Sequence, residues 1–194
     1  MKTILLLRHS EPERNGTYPN ELIPLSENGK KKMMDFSLRY PVKENKTVYS
    51  SPYLRAKETA SFFGQPLLDE RLIERLLGDH ETLNEAFWAK QYRDLSYKNK
   101  DGESFLEVQQ RMSDCINQIL SGMKDQETAV VVSHAAAICA YLFQYCSITV
   151  VDPNEKIRKI VYKGTEILCG KIKTPSAFRL TFENSTLTDI MYLE

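Results

Sequence analysis

The chain lacks the signatures of several familiar classes of protein. Its four cysteines form no C-x-x-C pair and it has no apolar stretch of 18 residues, so nothing indicates a zinc ribbon, a thioredoxin-like redox site or a membrane-spanning helix. Basic and acidic residues tie at 26 each, so no net charge points to nucleic acid or to an anionic membrane as a partner. Any anion-binding patch must therefore be local.

The signatures of several phosphate-handling enzymes are also missing. There is no G-x-x-x-x-G-K-[ST] loop, no D-x-D-x-T start, no G-x-S-x-G turn and no arginine six residues after a cysteine. No cluster of His and Asp stands at metal-ligand spacing. We therefore expect neither a metal ion nor another cofactor.

Length and composition predict one ordinary globular domain. Hydrophobic residues make up 42% and charged residues 27% of the chain, unlike a disordered, collagenous or disulfide-rich protein. We predict a single domain over residues 1–194, since a chain of this length can form a stable hydrophobic core without disulfide bonds or a structural metal ion. The apolar run after Lys2 stops at Arg8, so no signal peptide is visible. The four cysteines are predicted to be buried free thiols, as is typical of a protein in a reducing compartment. We expect a cytoplasmic protein.

Short apolar runs alternate with helical patterns along the chain. Continuous apolar runs predict buried strands at 3–7, 47–50 and 128–133. Capping residues, a proline and helical spacing predict helices at about 26–40, 52–64, 104–122 and 135–145. We predict irregular structure with one helix in 69–99 and a hairpin around 183–185. This order predicts an α/β sandwich with a mostly parallel sheet.

Basic side chains follow three of the predicted strands. Arg8 and His9 end the first, Arg55 lies in the first turns of the helix after the second, and His134 directly follows the third. Ligands of open α/β sheets bind outside the carboxyl ends of the strands, so we expect these side chains to meet at one edge. Two guanidinium groups, two imidazoles and a helix N-terminus suit an anion with several oxygens, such as phosphate.

Six motifs, in order along nearly the whole chain, resemble those of the histidine phosphatase superfamily, also called the phosphoglycerate-mutase-like family. They are R-H-S-E at 8–11, P-L-S-E-N-G at 24–29, S-S-P-Y-L-R-A-K-E-T-A at 50–60, L-I-E-R-L-L-G at 72–78, G-E-S-F at 102–105 and V-S-H at 132–134. The resemblance implies a three-layer α/β/α sandwich around a mostly parallel mixed sheet. It also implies a phosphoric monoester hydrolase of the histidine acid phosphatase type.

The same resemblance implies a role for each residue of the expected site. His9 would be the nucleophile and become a phosphohistidine, while Arg8, Arg55 and His134 would hold the phosphoryl oxygens. Glu74 would be the general acid and then the base that activates water. Neighbouring positive charge should favour the neutral form of His9, which keeps a lone pair available.

Two positions depart from the family's pattern. The glycine after the first histidine is Ser10 here, and the glycine after the second is Ala135. We expect both to line the substrate site together with Asn15, which stands where the family places an asparagine. The hydroxyl and N–H of Ser10 can serve a phosphate oxygen, whereas Ala135 adds one methyl group. These changes leave room for reduced activity or an altered substrate.

The predicted function is a metal-independent phosphomonoesterase that acts on a small phosphorylated metabolite or a phosphoprotein. One alternative is a cofactor-dependent phosphoglycerate mutase, which is disfavoured because family mutases carry a longer, arginine-rich insertion after the acid. Here 27 residues separate Glu74 from Gly102, and Arg93 is the only arginine beyond Arg75 in that segment. A second alternative is a non-catalytic module that binds a phosphorylated ligand. The oligomeric state is not predicted.

Three segments with a loose family pattern are expected to set specificity: 10–25, 79–100 and 147–175. In the second, His80 lies either at the pocket rim or on an exposed loop. The aromatic residues of that segment form either a substrate lid or packing beneath a long loop.

Overall fold

The described part of the chain, residues 1–14, 16–42, 46–79, 81, 83–152 and 155–194 of a computed structural model, forms nine strands and five α-helices. The strands, β1 to β9 in chain order, are Lys2–Arg8, Lys46–Ser50, Leu67–Leu68, Thr128–Ser133, Cys146–Asp152, Ile157–Tyr162, Thr165–Gly170, Ser176–Glu183 and Thr186–Leu193. The helices, α1 to α5, are Glu27–Arg39, Leu54–Ser61, Glu85–Lys90, Phe105–Gly122 and Ala135–Leu142. Among these helices none is long and apolar enough to cross a membrane.

The central sheet has six strands in the order β3-β2-β4-β1-β8-β9. The first four are parallel, β8 runs antiparallel to β1, and β9 runs antiparallel to β8, which confirms the mostly parallel mixed sheet. In the β1–β4 pair Arg8 lies opposite Ser133, and in the β2–β4 pair Ser50 lies opposite Val132. The three strands therefore end together, and the residues that follow them share one edge.

Helices cover both faces of this sheet. On one face Ile4 and Leu6 of β1 join a buried apolar cluster with α4 and α5. On the other face Leu5 and Leu7 join a second cluster with α1 and α2. A strand buried on both faces reads as a continuous apolar run, which is why β1 is visible in the sequence. The result is the expected three-layer α/β/α sandwich.

Polar residues fix the starts of two helices. Ser26 accepts a hydrogen bond from the N–H of Gly29 at 2.9 Å, at the start of α1. Ser104 accepts one from the N–H of Glu107 at 3.1 Å, and the Glu107 carboxylate accepts one from the N–H of Ser104 at 2.8 Å. This is the predicted capping box of α4. Caps of this kind contribute about 1 kcal/mol each to helix stability.

A second, antiparallel sheet of β5, β6 and β7 was not predicted from the sequence. Burial alternates along β5 because one of its faces packs on the core. Ile160 and Tyr162 of β6 belong to the same apolar cluster as α4 and α5. The Tyr162 hydroxyl donates to the carbonyl of Leu187 at 2.8 Å, which ties the small sheet to β9.

Two further predictions concern the C-terminal tail and the segment 69–99. The β8–β9 hairpin is confirmed, with Asn184 and Ser185 at φ 47° and 64°, the backbone of a two-residue type I′ turn. The described residues of the segment 69–99 include a 3₁₀ turn at Glu70–Leu72 and the short helix α3, with irregular stretches between them, in agreement with the prediction. Gly78 is required there, because a Cβ at this position would lie 2.1 Å from the carbonyl oxygen of Lys100.

Candidate active site

The carboxyl edge of the central sheet brings His9, Arg55 and His134 together. The N–H of His9 donates to the carbonyl of Ser133 at 3.0 Å, which extends the β1–β4 ladder one residue beyond the strand. The ring centroids of His9 and His134 lie 5.0 Å apart in an edge-to-face arrangement. Arg55 donates from Nε to His9 Nε2 at 3.3 Å, and its Nη2 lies 3.4 Å from His134 Nδ1. One guanidinium group therefore bridges both imidazoles.

This bridge fixes the tautomer of each ring. A guanidinium only donates, so His9 Nε2 and His134 Nδ1 must accept and are unprotonated. The opposite nitrogen of His9, Nδ1, donates to the carbonyl of Ser10 at 2.7 Å. The opposite nitrogen of His134, Nε2, donates to the hydroxyl of Ser51 at 2.9 Å. His9 is thus a neutral imidazole with its lone pair on Nε2, the form required of a nucleophile.

Burial keeps both imidazoles uncharged. His9 is 6% exposed and His134 is fully buried. Burial lowers the pKa of His9 to about 3, and the charges of Arg8 and Arg55 act in the same direction. Burial also lowers the pKa of His134 well below its ordinary value, with His9 and Arg55 contributing further. We predicted a neutral His9 from its cationic neighbours, but removal from water is the larger cause.

Arg8 places a second guanidinium beside His9. Its Nη1 donates to the carbonyl of Ile172, in the segment after β7. Its Nε is buried and has no hydrogen-bond partner among the described residues. Burial lowers the pKa of Arg8, whereas Glu74 acts in the opposite direction. An unsatisfied buried N–H is costly, so this donor favours an acceptor that the described residues do not supply.

Two adjoining cavities open at this edge of the sheet. His9 and Arg55 line the smaller one, of about 440 Å³. Glu74 lines the larger one, of about 1260 Å³. Arg8 and Arg14 line both cavities. The predicted nucleophile and the predicted acid therefore face different cavities, which meet at these two arginines.

Glu74 is held at the N-terminus of α5. Its carboxylate accepts hydrogen bonds from the N–H groups of Arg75 at 2.9 Å and Ala137 at 3.0 Å. A third comes from the N–H of Ala136 at 3.4 Å. The sequence analysis assigned the donors of this helix N-terminus to a phosphate, but the structure uses them to bind the Glu74 carboxylate, because a helix N-terminus stabilises negative charge.

Arg111 of α4 fixes the segment that carries Glu74. It donates to the main-chain carbonyls of residues 71, 73 and 74 at 2.7, 3.0 and 3.4 Å. Its charge is balanced by Glu103 in a two-pronged ion pair, with nitrogen–oxygen distances of 2.7 and 2.9 Å. A largely buried bidentate pair of this kind has little freedom to rearrange. Arg111 is therefore a positioning residue, and the sequence analysis did not identify it.

Ser10 faces the protein interior. It is fully buried, its N–H donates to Thr59 Oγ1 at 2.9 Å, and its hydroxyl donates to the carbonyl of Gly29 at 2.7 Å. Both donors that we expected to serve a phosphate therefore join the end of β1 to α2 and α1. The core therefore uses both donors in this arrangement, and the role of Ser10 in the substrate site stays a prediction.

The remaining predicted positions are placed as follows. Ala135 begins α5 and lines the larger cavity together with Glu74. Asn15 and His80 lie outside the described residues. Within the part of the chain that is described, no group of three or more His, Cys, Asp or Glu side chains is placed to hold a metal ion.

The aromatic segment divides between packing and cavity lining. Phe87 is buried and its ring lies 5.7 Å from that of Tyr97, while the Tyr92 ring lies 5.2 Å from that of Phe105. These contacts are packing beneath the irregular segment. Trp88 is 40% exposed and lines the larger cavity, as Tyr92 and Phe105 also do.

Two residues of the motif at 50–60, Ser51 and Thr59, make contacts in the site that the sequence analysis did not predict. The Ser51 hydroxyl oxygen accepts a hydrogen bond from His134 Nε2, and Thr59 Oγ1 accepts one from the N–H of Ser10. Ser51 is itself positioned by its N–H, which donates to the carbonyl of Val132 at 3.0 Å. The motif therefore supplies Arg55 and also the two hydroxyl groups that bind His134 and the main chain of Ser10.

The model of the histidine phosphatase superfamily (branch 1) matches residues 4–163. The chain belongs to this superfamily. No curated protein matches it significantly in sequence.

Solved structures share the fold over nearly the full length. YhfR of Bacillus stearothermophilus is 22% identical with a TM-score of 0.71, over 97% of this chain and 95% of that one. A mycobacterial glucosyl-3-phosphoglycerate phosphatase is 19% identical with a TM-score of 0.67, over 98% and 95%. A phosphoglycerate mutase from Thermus thermophilus is 22% identical with a TM-score of 0.60, over 99% of each chain. At these identities the likeness shows the fold alone.

Proposed function

We propose that this protein is a phosphomonoesterase that transfers the phosphoryl group to His9 and then to water. The observation that supports this most is the state of His9, which is buried and neutral with its lone pair on Nε2 beside Arg55. Arg8 adds a donor with no partner among the described residues. Donors fixed in place before the reaction stabilise the charge that spreads over a transferring phosphoryl group.

In the first step, Nε2 of His9 attacks the phosphorus in line. The N–P bond forms as the bond between phosphorus and the leaving oxygen breaks. Arg55 exchanges its hydrogen bond with Nε2 for bonds to the phosphoryl oxygens, and the free N–H of Arg8 donates to the same group. Glu74 takes up a proton when the negatively charged phosphate binds beside it, and it gives that proton to the leaving oxygen, so that the product departs as a neutral alcohol.

In the second step, a water molecule attacks the phosphorus. The Glu74 carboxylate removes a proton from the water, the N–P bond breaks, and its electron pair returns to His9. Inorganic phosphate leaves and Glu74 is again protonated. His134 acts through Arg55 in this scheme, because its ring is fully buried and its Nδ1 lies beside the Arg55 guanidinium.

The activity is tested with an aryl phosphate, in the presence and absence of EDTA. We expect the wild-type protein to hydrolyse the aryl phosphate in both conditions, because its imidazole supplies the nucleophile and its guanidinium groups supply the positive charge that stabilises the phosphoryl group. His9→Asn should lower kcat by about 10³-fold or more while leaving the thermal unfolding transition in place. Loss of the wild-type activity with EDTA, or a near wild-type rate for His9→Asn, contradicts the proposal.

A phosphoglycerate mutase is the second candidate. It is favoured by the basic lining of the larger cavity, which suits a substrate with a carboxylate, and by a solved structure of that name with the same fold. The short segment between Glu74 and Gly102 argues against it. Mixing the protein with 3-phosphoglycerate and a trace of bisphosphoglycerate distinguishes the two candidate functions, since rapid formation of 2-phosphoglycerate identifies a mutase.

A further inference from the structure

The small sheet of β5, β6 and β7 brings a basic side chain into the larger cavity. Arg158 of β6 lines that cavity together with Arg8 and Glu74. Arg158 is half-buried, and its charge acts on the pKa of Arg8, so the two guanidinium groups lie within electrostatic reach of each other. Arg158 therefore lies in the same cavity as the guanidinium group that the proposed function assigns to the phosphate.

Tyr92 holds the Arg158 guanidinium in place. Nε and Nη2 of Arg158 both donate to the Tyr92 hydroxyl oxygen, at 3.2 and 3.0 Å. The Tyr92 ring is fixed in turn by packing against Phe105 and Phe143, at centroid distances of 5.2 and 6.4 Å. An arginine held in this way loses little conformational freedom when a ligand binds.

Arg158 forms no ion pair in the part of the chain that the structure describes, although the Glu74 carboxylate acts on its charge at longer range. None of the described carboxylates lies within 4.0 Å of its nitrogens, and its Nη1 donates to none of the described residues. The Tyr92 hydroxyl accepts from Arg158 without donating to any described residue, so its proton is also available. Together these groups present two donors and a positive charge.

The charge of the whole cavity favours an anion. Nine basic side chains line it against two carboxylates, those of Glu74 and Glu194. The lysines at 32, 171 and 173 are paired with acidic residues, whereas Arg8, Arg14 and Arg158 are not paired with any described carboxylate. Arg39, Arg75 and Lys156 form no ion pair with a described carboxylate either. Unpaired positive charge is therefore spread over the cavity, and it includes both Arg8 and Arg158.

We propose that Arg158 and Tyr92 form a second anion subsite, and that the preferred substrates are phosphomonoesters with a second anionic group. This inference rests on the proposed phosphatase function and names its substrate class. A carboxylate or a second phosphate both match the guanidinium, because each offers two oxygens to parallel N–H donors. A fixed charge-assisted contact of this kind changes affinity by about tenfold to a hundredfold.

Turnover is tested with two matched pairs of substrates. The pair 3-phosphoglycerate and glycerol 3-phosphate differs by a carboxylate, and the pair glucose 1,6-bisphosphate and glucose 6-phosphate differs by a phosphate. We expect kcat/KM to be at least about tenfold higher for the member with the second anionic group in one or both pairs. In Arg158→Gln this ratio should fall toward one.

Lys159→Gln is the matched control. It removes the same charge from the next position of β6, where the side chain is exposed and pairs with Glu166 at 3.2 Å. We expect the substrate ratio to stay at its wild-type value in this variant. A ratio that survives in Arg158→Gln, or that falls equally in both variants, overturns the proposal.

Binding of the same compounds separates this inference from the proposed function. In a His9→Ala background, in which the nucleophile is absent, calorimetry should show tighter binding of the member with the second anionic group, and Arg158→Gln should remove the difference. If the ratio of Kd values behaves in this way while wild-type protein hydrolyses none of the compounds, the phosphatase proposal fails and the subsite stands. Equal or undetectable binding within both pairs overturns the subsite.

Discussion

A single added methyl group at Gly29 should disrupt the region behind the nucleophile. Gly29 lies in the first turn of α1, and a Cβ there would lie 2.1 Å from the carbonyl oxygen of Glu11. That distance is more than 1 Å shorter than a tolerated carbon–oxygen contact. Since Glu11 is two residues from His9 and the carbonyl of Gly29 accepts the Ser10 hydroxyl, relief of the overlap must shift the backbone beside the site.

The expected free-energy change follows from two opposed effects. Replacing glycine by alanine inside a helix stabilises it by up to about 1 kcal/mol. Overpacking against main-chain atoms costs about 1–3 kcal/mol or more, and here no flexible side chain is available to move away. We expect Gly29→Ala to lower the free energy of unfolding by about 2 kcal/mol and to lower kcat as well.

Gly122→Ala is the matched control, because Gly122 is the last residue of α4 and a Cβ there meets nothing within 4 Å. Urea denaturation of both variants, with kcat for an aryl phosphate, makes the comparison. The control should be as stable as wild type or slightly more stable, with unchanged turnover. If Gly29→Ala behaves like Gly122→Ala, the close approach of α1 to Glu11 is not as described and the reasoning is refuted.

Three further predictions concern the two histidines and their partners. Arg55→Lys should lower kcat by about 10²-fold or more, because a point charge cannot bridge His9, His134 and a phosphoryl group at once. Ser51→Ala should cost about 1–3 kcal/mol of unfolding free energy and reduce kcat, because it leaves the buried N–H of His134 without an acceptor. In an NMR titration the ring signals of His9 and His134 should stay those of neutral imidazoles from pH 8 to about pH 5, because burial lowers both pKa values. Below about pH 6.5 both rings bind protons in the unfolded state but not in the folded state, so their contribution to stability falls as the pH is lowered from there. For His9 this loss continues to about pH 3.

Each of these outcomes has a clear opposite. Near wild-type turnover of Arg55→Lys contradicts a need for the planar guanidinium. An unfolding curve of Ser51→Ala that overlays that of wild type contradicts the hydrogen bond to His134. A His9 signal that titrates near pH 6.5 contradicts its burial, and with it the account of how its lone pair is kept available.

The carboxyl edge of the central sheet could be predicted from the sequence, because parallel strands that are buried on both faces appear as continuous apolar runs. The ends of β1, β2 and β4 then follow directly, and with them Arg8, His9, Arg55 and His134. The capping box at Ser104 and the turn at 183–185 were equally visible, because both depend on local residue types. Features that depend on neighbouring residues can be predicted without knowledge of the tertiary structure.

The rest depended on contacts between distant parts of the chain. The Ser10 hydroxyl has its acceptor in Gly29 of another element, so the sequence alone did not show that it was engaged. The N-terminus of α5 was expected to serve an anion, but the sequence did not show that Glu74 is that anion. In β5 and β6 polar or charged residues interrupt the apolar ones, so neither strand appears as a continuous apolar run. Without this sheet the position of Arg158 could not be predicted.

Direct detection of the covalent intermediate tests the central claim. The wild-type protein is mixed with an excess of phosphorylated substrate, quenched in alkali within the first turnover and analysed by peptide mass mapping. We predict one phosphoryl group on the peptide that contains His9, located on its imidazole, and none in His9→Asn. Steady turnover with no phosphorylated peptide, or a phosphoryl group on another residue such as His134, would contradict the account.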